Sequence, residues 1–115
     1  MSSQATDQLV LQRIRNKVIE LLEAYSDNSQ PELAQSLLEH WGDWVESEVP
    51  AHFISPVFTS DEKDAITQTH RAWKTVQYST SLSSLEWVAF TEQSHASLNV
   101  MLKRGKQSEN YEERF

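Results

Sequence analysis

The chain has 115 residues, of which 38% are hydrophobic, and its ten basic and 17 acidic side chains give a formal net charge of −7. The absence of cysteine excludes disulfides and thiolate chemistry, and two glycines and three prolines are too few for the turns of an all-β fold. The sequence shows no basic face for nucleic acid and no apolar run of membrane-spanning length, and we expect no signal peptide. We therefore expect an all-α, cytoplasmic protein that binds neither nucleic acid nor membranes.

The first helix is predicted over residues 4–26, where apolar side chains recur at every third or fourth position. These side chains are Leu11, Ile14, Val18, Leu21 and Tyr25. Because this spacing places them on one side of a helix, we expect that side to face the core.

The second helix is predicted over residues 30–49, after a capping box of Ser29 and Glu32. Its apolar side consists of Leu33, Leu37, Leu38, Trp41, Trp44 and Val45. At about 100° per residue, the opposite side carries an acidic stripe within an arc of about 60°. The stripe consists of Glu32, Glu39, Asp43 and Glu46. It lacks the Lys and Arg neighbours that a merely soluble helix face usually has, which favours a partner surface. We expect Gly42 to allow a close helix crossing.

Residues 50–58, with the sequence PAHFISPVF, form an apolar connector after this helix. Its side chains either cover the end of the core or expose Phe53 and Ile54 beside the acidic stripe. An apolar anchor with a charged rim is a common arrangement at protein interfaces. We therefore predict Phe53 and Ile54 as partner-binding residues, together with the four acids of the stripe.

A third helix is predicted over residues 60–79, after a capping box of Thr59 and Glu62, and a fourth over residues 84–104, after Ser83 and Glu86. Helices of this length with short connections predict an up-down antiparallel four-helix bundle, formed as one domain by residues 1–104. The polar tail, residues 105–115, is expected to be frayed.

The fourth helix is apolar on two sides. One side carries Trp87, Phe90, Leu98 and Met101, and the other carries Leu85, Val88, Ala89 and Ala96. This pattern predicts either the most central helix of the bundle or a helix whose second face meets a partner. A homodimer through this face is one expectation.

The strongest chemical motif is the E-x-x-H pair of Glu92 and His95. Carboxylate-bridged di-iron bundles need two such pairs, and here Thr67 stands three residues before His70 instead of a carboxylate. The four histidines match no familiar zinc spacing, and the chain contains neither a nucleophile elbow nor a glycine-rich phosphate loop. We predict no catalytic residue, no metal site and no cofactor.

The leading hypothesis is a non-enzymatic, acidic protein-binding module that engages a basic protein partner. Its most specific form is an immunity or inhibitor protein that neutralises a toxin. The alternatives are a helical bundle that binds a ligand or metal and a dimerising structural or regulatory subunit.

Overall fold

The computed structural model describes residues 7–27, 29–45, 57–77 and 84–114. Within these ranges the chain forms five α-helices and no β-strand. The helices are α1 (Asp7–Ser26), α2 (Pro31–Ser36), α3 (His40–Val45), α4 (Ser60–Val76) and α5 (Leu85–Leu102). The predicted all-α class is confirmed. None of the described helices is both long enough and apolar enough to cross a bilayer.

The core lies where α5 packs against both α1 and α4, while α2 and α3 pack against α1. Its largest fully buried apolar side chains are Ile19, Leu22, Tyr25, Trp41, Phe58, Ile66, Phe90 and Met101. The first predicted face of the fourth helix is buried throughout, so α5 contributes to the core as expected. The up-down order of a four-helix bundle stays a prediction.

The continuous helix predicted over residues 30–49 is wrong in its centre, because α2 ends at Ser36 and α3 begins at His40. Between them the backbone forms a turn with bonds between residues three apart. The His40 N–H, for example, donates to the carbonyl of Leu37 at 3.1 Å. Residues 46–50 lie outside the described residues.

Side chains from two other helices explain this break. The Tyr25 hydroxyl, buried in α1, donates to the Leu37 carbonyl at 2.8 Å and faces the backbone N–H of Trp41. In an unbroken helix that N–H and that carbonyl would bond each other. The next carbonyl, that of Leu38, accepts from Trp73 Nε1 at 2.7 Å. An inserted hydroxyl of this kind is a known cause of helix interruption.

Two long helices begin with side-chain caps. Before α4, Thr59 Oγ1 accepts from the Glu62 N–H and Glu62 Oε1 accepts from the Thr59 N–H, each at 3.1 Å. The capping box predicted there is confirmed. Before α5 the cap is Ser84, whose hydroxyl accepts from the Trp87 N–H at 3.2 Å. The predicted cap, Ser83, lies outside the described residues.

The capping box predicted at the start of the second helix is wrong. Gln30 precedes α2 without a side-chain cap, and Ser29 instead bonds to Asp27. The Asp27 carboxylate accepts from both the hydroxyl and the backbone N–H of Ser29, at 2.6 and 2.9 Å. These hydrogen bonds lower the pKa of Asp27. Ser29 thus bonds to Asp27 in the turn after α1 and does not form the predicted capping box with Glu32.

The polar tail after α5 lies along α1 as far as Glu113, whose backbone bonds to Gln8 and Gln12. Asn16 pairs with the backbone of Gln107, donating to its carbonyl at 2.7 Å and accepting from its N–H at 2.9 Å. Gln12 donates to the carbonyls of Ser108 and Tyr111, both at 2.9 Å. The tail was expected to be frayed, whereas the structure gives its backbone these fixed partners on α1.

Candidate functional site

The predicted partner-binding acids are at the surface wherever the structure describes them. Glu32 in α2, Glu39 in the turn and Asp43 in α3 are all exposed. The other three predicted residues, Glu46, Phe53 and Ile54, lie outside the described residues. We refer to residues 29–45 as the acidic segment.

The acids of this segment do not lie on one regular helix. The predicted arc of about 60° assumed an unbroken helix from Glu32 to Glu46. Because α2 ends at Ser36 and α3 begins at His40, the angle between Glu32 and Asp43 follows from the turn rather than from helical periodicity. The exposed charge is therefore divided over two short helices.

The acidic segment contains Asp and Glu side chains but no Lys or Arg. The sequence contains no Lys or Arg between Lys17 and Lys63. His40 Nδ1 lies 3.7 Å from Asp43 Oδ2, which is an ion pair only when the imidazole is protonated. Among the described residues, neither Glu32 nor Glu39 belongs to an ion pair.

A cleft of about 300 Å³ lies between part of α1 and the acidic segment. It is lined by Lys17, Glu20, Leu21, Leu37, His40 and Trp44. The rim on α1 is neutralised locally, since Lys17 Nζ lies 3.5 Å from Glu20 Oε2. Leu37 and Trp44, by contrast, are partly buried and give the cleft apolar surface next to exposed acids.

His70 has a structural role in the core. It is 4% exposed and stacks on the indoles of Trp41 and Trp73. Its Nδ1 accepts from Trp41 Nε1 at 2.9 Å, which requires that this nitrogen carries no proton. The imidazole thus joins α3 to α4 and is not available as a surface ligand.

Gly42 allows a close approach, although of a side chain rather than of another helix backbone. A Cβ on Gly42 would lie 3.3 Å from Cη2 of Trp73. The missing side chain therefore gives space to the indole whose Nε1 donates to Leu38. Gly42 belongs to the same contact between α3 and α4 as His70.

Glu62, at the start of α4, is a buried charged residue. It is 1% exposed and accepts from two guanidinium groups. Arg15 Nη2 lies 2.7 Å from Glu62 Oε2, and Arg104 Nη2 lies 2.8 Å from Glu62 Oε1. Burial alone would raise the pKa of Glu62, but hydrogen bonds from Arg104 and Arg15 hold it below its ordinary value.

Arg15 connects this carboxylate to the end of α5. It is fully buried, and it donates to the carbonyl of Met101 at 3.1 Å and to that of Gly105 at 2.6 Å. Cations at a helix C-terminus satisfy its free carbonyls and interact favourably with its dipole. One guanidinium therefore ties α1, α4 and α5 together, which is a structural role.

The E-x-x-H pair does not form a metal site in the described chain. Glu92 and His95 are both exposed on α5. Among residues 7–27, 29–45, 57–77 and 84–114, no group of three or more His, Asp or Glu side chains is arranged to hold a metal ion. The described geometry therefore gives the metal-binding alternative no support.

Comparisons with protein-family models, with curated proteins and with solved structures found no match for this chain. Its candidate site is therefore defined by its own residues: the acidic segment and the adjoining cleft.

The buried ionic network was not predicted from the sequence, although one signal was present. Arg15 occupies the inward side of α1, four residues after Leu11 and three before Val18. A charged residue at such a position predicts a buried partner of opposite sign. Glu62 was identified only as a capping residue, and the sequence places it 47 residues away from Arg15.

Proposed function

We propose that this chain is a non-enzymatic protein-binding module whose acidic segment engages a basic protein partner. Its most specific form is an immunity or inhibitor protein that covers the cationic active site of a toxin. The observation that carries the proposal is the exposure of Glu32, Glu39 and Asp43 on a stretch of 45 residues, 18–62, without a single Lys or Arg.

The charge of this surface favours binding of a cationic partner and not only solubility. Exposed acids of one sign attract a cationic partner over distances of about 8–10 Å at moderate salt, and they accelerate its encounter. A surface serving only solubility would gain from mixed charges, because oppositely charged neighbours stabilise one another. The acidic segment forgoes such pairs, since it contains no Lys or Arg.

The cleft beside the acidic segment supports the same proposal. Aromatic and aliphatic side chains inside a charged rim are typical anchors of protein interfaces. Trp44 and Leu37 line the cleft. The exposed Asp43 precedes Trp44 directly, and the exposed Glu39 follows Leu37 by two residues. A basic partner with an apolar side chain at its centre fits this combination.

Two further expectations belong to this proposal. We place the protein in the cytoplasm, because a cysteine-free chain suits a reducing compartment. We also favour the up-down order of the long helices, with α2 and α3 together in place of a second long helix. The contacts of α5 with both α1 and α4 support that order.

The proposal is tested by affinity capture with three forms of the full chain. The first is the wild-type protein, and the second carries Glu32→Gln, Glu39→Gln and Asp43→Asn. The third carries Asp64→Asn, Glu86→Gln and Glu112→Gln, three exposed acids elsewhere. Both variants change the net charge from −7 to −4 (three acids neutralised) and so differ only in where charge is removed.

We expect a basic protein to be enriched on the wild type and on the third form, and to be lost from the second. Its affinity should fall as salt rises, and the salt dependence should be shallower for the second form. Equal loss from both variants would show that only net charge matters, and the acidic segment would not be the binding site. If the partner is a toxin, adding the wild-type chain should abolish its activity.

A further inference from the structure

Helix α5 presents a second side to solvent. Every residue along this side is exposed, and successive members are three or four positions apart. They are Leu85, Val88, Glu92, His95, Asn99 and Leu102. Leu85 is 84% exposed, and Val88 and Leu102 are 45% and 48% exposed. The alternation of three and four is the spacing by which one helix meets another along a seam.

The spacing of the residues in this outward row is symmetric about its centre. Its spacings are 3, 4, 3, 4 and 3, which are the same in either direction along the helix. When a second copy of α5 is laid antiparallel on the first, Leu85 meets Leu102. In the same register Val88 meets Asn99, and Glu92 meets His95. Because each pair occurs twice, the arrangement satisfies two-fold symmetry.

We propose that the chain forms a homodimer in which two copies of α5 pair antiparallel through this row. The two Glu92–His95 contacts place a carboxylate opposite an imidazole that can donate to it, whereas a parallel pairing would place Glu92 opposite Glu92. Antiparallel helices also bring opposite ends of their dipoles together. Hydrogen bonding between these side chains and the helix dipoles thus favour a second copy in this orientation.

Small side chains beside the row allow the two helices to approach. Ala89 and Ala96 are exposed on the same flank, and the antiparallel register brings the Ala89 of one copy beside the Ala96 of the other. The 18 residues of α5 give a contact about 27 Å long. A single helix pair of that length lies at the small end of specific interfaces, so we expect a weak, concentration-dependent dimer. This dimer does not depend on the acidic segment.

Cysteine cross-linking tests the register directly, since the chain has no cysteine of its own. Purified Leu85→Cys and Leu102→Cys chains are oxidised separately and as a mixture. A disulfide needs Cα atoms within about 7 Å, and antiparallel pairing brings residue 85 of one chain to residue 102 of the other. We expect covalent dimer in the mixture and little in either chain alone. Equal yields in all three samples would overturn the proposed register.

Charge exchange tests the central pair. Glu92→His places His opposite His, His95→Glu places Glu opposite Glu, and the double exchange restores the pair. Analytical ultracentrifugation from about 1 μM to about 1 mM should show each single exchange weakening association by about tenfold, because two pairs are lost per dimer. The double exchange should recover wild-type association, and Leu33→Ser, an exposed site on α2, should leave it unchanged. A wild-type chain that stays monomeric up to about 1 mM overturns the proposal.

Discussion

The carboxylate of Glu62 makes two kinds of structural contact. It closes the capping box of α4 with Thr59, and it neutralises the guanidinium groups of Arg15 and Arg104. A buried ion pair adds little net stability compared with apolar packing, but removing one partner leaves an uncompensated charge. The fold therefore depends on Glu62 more than on most single residues.

We expect Glu62→Gln to lower the free energy of unfolding by about 3–5 kcal/mol, because Arg15 loses its counter-charge in a site without solvent. Gln keeps the capping geometry, so the loss reports the charge and not the helix start. Urea unfolding measures the change. Asp64→Asn, an exposed substitution on the same helix, should change stability by less than about 0.5 kcal/mol.

The same variant isolates the pH dependence of this carboxylate. Because the pKa of Glu62 is lowered from its ordinary 4.5 on folding, its contribution is complete above pH 4.5 and is lost as pH falls through the folded value. The stability difference between wild type and Glu62→Gln should therefore shrink on acidification below pH 4.5. A difference that stays constant there would contradict the assigned role.

At the scale of elements, Tyr25 determines where the second predicted helix breaks. Its hydroxyl is positioned between the Trp41 N–H and the Leu37 carbonyl, and burial raises its pKa, so it remains a donor. Leu38 is held in a similar way by Trp73 from α4. Two long-range side-chain contacts thus override the helical preference of the local sequence.

We expect Tyr25→Phe to extend helical structure across residues 37–39, because the Leu37 carbonyl and the Trp41 N–H become free to bond each other. Stability should fall by about 1 kcal/mol for the lost hydrogen bond to the Leu37 carbonyl. Backbone chemical shifts of residues 37–39 and the exchange rate of the Trp41 amide measure the change. Unaltered shifts would show that the hydroxyl does not cause the break. Tyr111→Phe, at a tyrosine that is 63% exposed, should leave both readouts as in the wild type.

The sequence predicts the long helices well and the acidic segment poorly. Regular apolar spacing and local caps place α1, α4 and α5 within a few residues of their observed ends, since these signals act between near neighbours. The break at residues 37–39 depends on Tyr25 and Trp73, which come from other helices. The exposure of Glu32, Glu39 and Asp43 was predictable from composition, but their relative angle was not.

At the scale of the whole molecule, charge is divided between interior and surface. The residues from 20 to 64 carry eleven acids and one base, for a balance of −10. Glu62 is paired inside the fold with Arg15 and Arg104. The other acids of this stretch that the structure describes are exposed, and salt screens their mutual repulsion.

We expect the melting temperature of the wild type to rise between about 20 mM and about 500 mM salt, which shortens the Debye length from about 20 Å to about 4 Å. The rise should be smaller when Glu32, Glu39 and Asp43 are neutralised, since their mutual repulsion is already gone. Differential scanning calorimetry at the two salt concentrations measures both. The matched variant of Asp64, Glu86 and Glu112 should respond nearly as the wild type does. Equal rises in all three proteins would contradict a repulsion centred on the acidic segment.

The positions of the Arg15 partners in the sequence determine when the core can fold during synthesis of the chain. Its guanidinium binds residues that follow it by 47, 86 and 90 positions. At about 5–20 residues per second, a ribosome adds Gly105 roughly 5–20 s after Arg15. Throughout that interval α1 carries a cation on its inward side without its full set of acceptors, so the helix must stay hydrated there. We therefore expect the core around Arg15 to pack only after α5 has been synthesised, so the earlier helices cannot complete this part of the core before then.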